Sequence, residues 1–177
     1  SSKEPCVIPV LIGMVGNSGA ALPLTVQCGT DGAAANHLFV MTEETARITF
    51  TAVTEEPVPS ILRGFSAPVV LDFDYTDAQL LTLLANDPDP FNRWEAGQRL
   101  ALRSAINSIA THAGSTGAGV LNDAYINAMR SVLRHPALDA AFKELVLTLP
   151  SETYIAEQMD VVDPQRIHAV REAMRLQ

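Results

Sequence analysis

The chain has 177 residues, 47% of them hydrophobic and 18% charged, with a formal net charge of −8 at pH 7. That much apolar material excludes a disordered chain and suffices for one substantial core or two small ones. The acidic balance excludes nucleic acid as a partner, because phosphate binding needs a basic face, and no apolar run approaches the roughly 18 residues that cross a bilayer. From the N-terminus no signal peptide is legible: residues 1–5 lead straight into 7–15, an apolar stretch with Pro9 and Gly13 in it that reads as a strand inside a sandwich. Gly16-Asn17-Ser18-Gly19 reads as a turn, residues 22–27 as a second strand, 29–36 as a loop and 37–42 as a third strand. Glu43-Glu44 and Glu55-Glu56 read as exposed turn charges. Between them 47–53 alternates, with Ile48, Phe50 and Ala52 on one face. Residues 60–65 and 69–74 are the last two expected strands, the latter with Val69, Leu71 and Phe73 opposite Val70, Asp72 and Asp74. Short strands at this spacing predict an antiparallel β-sandwich over residues 1–74.

The apolar period then changes from two to three or four, and residues 75–177 read as helices. Thr76 followed by Gln79 is a capping box, ahead of a stripe of Leu80, Leu81, Leu83 and Leu84. Asp89-Pro90 is an N-cap with proline at the first helical position, opening a helix to about His112. Trp94 lies on that helix's apolar face and reads as core at the junction, where burial contributes roughly 1.5–3 kcal/mol. After a glycine-rich loop over 113–119, a third helix carries Leu121, Tyr125, Ala128, Met129 and Val132 and ends at His135-Pro136. A fourth carries Leu138, Ala141, Phe142, Leu145 and Leu149, a short fifth follows Pro150-Ser151, and Asp163-Pro164 starts a sixth with Ile167, Val170 and Met174. The fold class is therefore α+β, strands first, then short helices packed antiparallel as a bundle or solenoid.

No catalytic or metal constellation emerges from the residues. His37, His112, His135 and His168 have no second His or Cys at ligand spacing, and H-E-x-x-H is absent; His112 and His135 suit helix C-termini. Asp72 and Asp74 read as a solvated edge, and Asp87 and Asp89 as turn and cap residues before prolines. The loop 114–119 has neither a phosphate-binding lysine nor a preceding strand, and no serine sits in a G-x-S-x-G elbow. Cys6 and Cys28 read as free thiols, which suits the cytoplasm. Arg63 is placed to reach a carboxylate across the junction, with Glu95 as the expected partner.

The segments Pro57-Val58-Pro59-Ser60-Ile61-Leu62, Phe65-Ser66-Ala67-Pro68-Val69, Arg93-Trp94-Glu95-Ala96, Leu147-Thr148-Leu149-Pro150-Ser151 and Asp163-Pro164 before Val170-Arg171-Glu172-Ala173 resemble, in this order, part of the bacterial aminopeptidase N family of gluzincin zinc metallopeptidases. The resemblance implies most of that family's small sandwich domain and the first helices of its C-terminal domain. It implies a parent that removes N-terminal residues from peptides with a zinc-activated water. The zinc motif, its downstream glutamate and the G-x-M-E-N segment have no counterpart here, so no catalytic, cofactor or metal residue is carried over. The chain by itself is expected to be inactive, with the remainder of the parent as its partner. Both parts are expected to be incomplete, which predicts self-association through an unpaired sandwich edge. The alternative reading is a free-standing sandwich and helical binding module. An independent hydrolase finds no nucleophile, base and orienting group.

Overall fold

The computed structural model describes residues 6–27, 32–111 and 119–177, and divides into two compact units, Ser1–Arg93 and Trp94–Gln177. It has antiparallel sheets followed by helices, as the change of apolar period predicts.

In the first unit β1 (Ile8–Gly16) is the central strand of a three-stranded sheet in the order β3–β1–β5. Its first half pairs with β3 (His37–Met41), Ile8 opposite Met41 and Ile12 opposite His37. Its second half pairs with β5 (Pro57–Ile61), Ile12 opposite Ile61 and Gly16 opposite Pro57. A central strand has neighbours on both edges and cover on its faces, which is why this segment is apolar throughout; Val15 is fully buried and pairs with the buried Val58. The turn after β1 closes through a Gly19 N–H bond to the Gly16 carbonyl at 2.8 Å, with Gly19 at φ +86°, a conformation that favours glycine. β2 (Thr25–Val26) and β4 (Phe50–Thr51) form a second, two-stranded sheet.

Four expected strands are corrected, the first being 22–27, of which only Thr25–Val26 is strand. Of 47–53 only Phe50–Thr51 is strand, because Ala52 turns to φ +57° and ends the extended run. Of 60–65 the strand ends at Ile61 and begins earlier, at Pro57; Arg63–Phe65 is a 3₁₀ turn, and Gly64 and Phe65 within it and Leu62 before it have positive φ. Residues 69–74 form no strand at all. The place for it beside β5 is taken. Pro57 and Pro59 lack the N–H a neighbouring strand would need, and the outward carbonyls of Pro59 and Ile61 accept from the Tyr75 hydroxyl at 2.8 Å and Asn92 Nδ2 at 3.0 Å. Residues 69–74 instead make tight local bonds, Val69 N to the Ala67 carbonyl and Tyr75 N to the Phe73 carbonyl, and Val70 is 96% exposed. Asp72 and Asp74 are exposed but share no strand face.

The helix signals resolve closely. α1 (Asp77–Asn86) starts on the Thr76 capping box, with Thr76 Oγ1 accepting from Gln79 N at 3.2 Å and Gln79 Oε1 accepting from Thr76 N at 2.9 Å. It buries Leu80, Leu83 and Leu84, each worth about 1.5–3 kcal/mol. α2 (Pro90–Thr111) opens on Asp89, whose Oδ1 accepts from Asn92 N at 2.9 Å. In the second unit Leu100, Ala101, Ala105 and Ile109 line its buried face, while Trp94, read as core, is only half-buried. His112 and the loop 113–118 lie outside the described residues. α3 (Asp123–Arg134), α4 (Ala140–Leu147), α5 (Glu152–Glu157) and α6 (Pro164–Arg175) start on Asn122, Asp139, Ser151 and Asp163, whose side chains each accept a backbone N–H of the first turn. On α4 the buried residue is Val146 and Leu145 is 50% exposed, because eight residues present one narrow stripe, Phe142 and Val146.

Candidate functional site

The first unit carries a buried polar cluster where β5 meets the α1–α2 connection. The left-handed turn after β5 points Arg63 inward, so that it is 3% exposed over Gly13, whose missing side chain leaves room for the guanidinium. Arg63 donates from Nε to Ser60 Oγ at 2.8 Å, from Nη1 to Asn36 Oδ1 at 2.6 Å and from Nη2 to Asp87 Oδ1 at 3.0 Å. Asp87, 1% exposed, also accepts from Asp89 N on Oδ1, while its carbonyl takes two bonds from Arg93, Nε at 3.0 Å and Nη2 at 2.8 Å. Asn92 Nδ2 reaches Ser60 Oγ at 2.7 Å, and Asp89 Oδ2 accepts from Gly64 N at 2.8 Å. Burial pushes the Asp87 carboxyl above its ordinary range, against the downward pull of the Ser60 hydroxyl and the Arg63 charge. Burial also lowers Arg93, against the charge of Asp87. Asp87 Oδ2 and Arg93 Nη1 are buried with no partner among the described residues. The cluster can hold a turn, a strand end and two helix ends in register. A substrate would have to displace that packing to reach Asp87.

This geometry corrects the expected pairing of Arg63 with Glu95. Arg63 pairs with Asp87, and Glu95 accepts from Arg99 one helical turn on, at 2.9 Å. Asp89 is the N-cap that the sequence indicates, but Asp87 is more than a turn residue. The available signal was Asp87 before Pro88: a residue before proline is held extended, here at φ −59°, ψ 126°, which ends α1.

The histidines are dispersed. His37 lies edge-on to Phe50 with centroids 6.1 Å apart, His135 Nδ1 accepts from Ala137 N, and His168 Nδ1 sits 2.8 Å from Glu152 Oε1. Cys6 is exposed, and Cys28 lies outside the described residues. Among the described residues no three His, Cys, Asp or Glu side chains gather to hold a metal ion. Of the turn charges, Glu55 does more than face solvent: its carboxylate accepts from Ser18 N at 3.0 Å and Ser18 Oγ at 2.8 Å, and these bonds lower its pKa. In the second unit a cavity of about 350 Å³ opens between α3, the end of α4 and the end of α6.

A family model described as a domain of unknown function (DUF3458) with an Ig-like fold matches residues 1–74, and one described as DUF3458_C, with ARM repeats, matches 77–177. Aminopeptidase N of Escherichia coli (strain K12) is 34% identical over 175 residues, 98% of this chain and 19% of that protein. The chain belongs to the bacterial aminopeptidase N family. Aminopeptidase N of Caulobacter vibrioides is 40% identical over 128 residues, covering 72% of this chain and 14% of that protein. In fold, Legionella pneumophila aminopeptidase A, crystallised in complex with aspartic acid, matches with a TM-score of 0.74 at 24% identity, over 96% of this chain and 18% of that one. The chain thus spans under a fifth of the length of these aminopeptidases. The order of an Ig-like part before helical repeats agrees with the strands-then-helices fold.

Proposed function

We propose that this chain is a non-catalytic section of a zinc aminopeptidase that removes N-terminal residues from peptides. Residues 1–74 act as a spacer sandwich, and residues 75–177 supply helices that help enclose the chamber in which peptides are cut. The observation that carries this reading is the 34% identity over 98% of the chain to an aminopeptidase N of which it makes up 19%. The donor set in this chain does not fit zinc, since H-E-x-x-H is absent from the sequence and no three ligand side chains converge among the described residues. Zinc and the water it activates would therefore be held by other parts of the parent, and no step of the reaction runs through these residues. The chain's remaining task is architectural: the Arg63–Asp87 cluster holds β5 to the start of α2 within the first unit. A free thiol at the exposed Cys6 suits a cytoplasmic enzyme.

The test compares the polypeptide encoded by the whole gene with the 177-residue chain on an aminoacyl 4-nitroanilide. The whole polypeptide should release 4-nitroaniline and lose that activity to 1,10-phenanthroline, while the chain releases none with or without added zinc. Turnover by the chain, or none by the whole polypeptide, overturns the reading.

A further inference from the structure

We draw no further inference here: the strongest candidate, the aromatic surface patch of the first unit where the left-handed turn after β5 sets the exposed Phe65 against Phe91 at the start of α2, has nothing in the structure to show what covers it.

Discussion

Asp87 receives two arginines by different groups, Arg63 on its carboxylate and Arg93 on its carbonyl. Removing one member therefore leaves an unpaired charge in a dry place. Asp87→Ala should destabilise the chain by about 3–5 kcal/mol, because Arg63 stays buried without its counter-charge. Arg63→Met should cost less, because the Asp87 carboxyl it leaves behind is already pushed upward by burial and can be neutralised by a proton. A double-mutant cycle on Arg63 and Asp87 in urea should give a coupling of about 0.5–3 kcal/mol, whereas Arg63 and Glu95 should add independently. Sequence spacing could not choose between these two carboxylates. Both lie on segments that follow Arg63, and only the left-handed turn at Leu62 to Phe65 selects the one it faces.

At the scale of elements, side-chain caps start each of the helices α1 and α3 to α6, and most of them are legible as Ser, Thr, Asp or Asn ahead of an apolar stripe. Thr76→Ala should lower stability by about 1 kcal/mol, measured as a shift in the urea midpoint at unchanged slope. The turn after β1 offers a pH test. The folded-state pKa of Glu55 is depressed by Ser18, so its stabilisation is present above the ordinary carboxylate range and is lost as pH falls through the depressed value. The melting temperature of the native chain should exceed that of Glu55→Gln at neutral pH, and the gap should close on acidification below about pH 4. Strands were less legible than helices. A cap is a local bond within four residues, whereas a strand exists only if a neighbour accepts it. The alternation of 69–74 finds no neighbour, because Tyr75 and Asn92 already occupy the outer edge of β5.

Across the whole molecule, the first compact unit runs through Arg93 and so includes α1 and the opening turn of α2. The bonds that join Tyr75, Asp87, Asp89 and Asn92 to the sheet and its following turn, with Arg93 held on the Asp87 carbonyl, account for that extent. Arg63→Ala should accelerate amide hydrogen exchange in β1, β5 and α1 together, while the amides of α3 and α6 keep their native protection. Accelerated exchange confined to the turn at 63–65 would show instead that the cluster is local.

The sequence alone determined the order of strands before helices, the helix starts, and the absence of H-E-x-x-H, because periodicity, capping and motifs are properties of neighbouring residues. It also carried the resemblance to the aminopeptidase N family that the comparisons show. Only the tertiary structure decided which carboxylate Arg63 meets, why β5 takes no further partner on its outer edge, and which apolar residues of α3, α4 and α6 form one groove. Those are contacts between residues 16 to more than 50 positions apart, and their energies depend on burial, which no local spacing encodes.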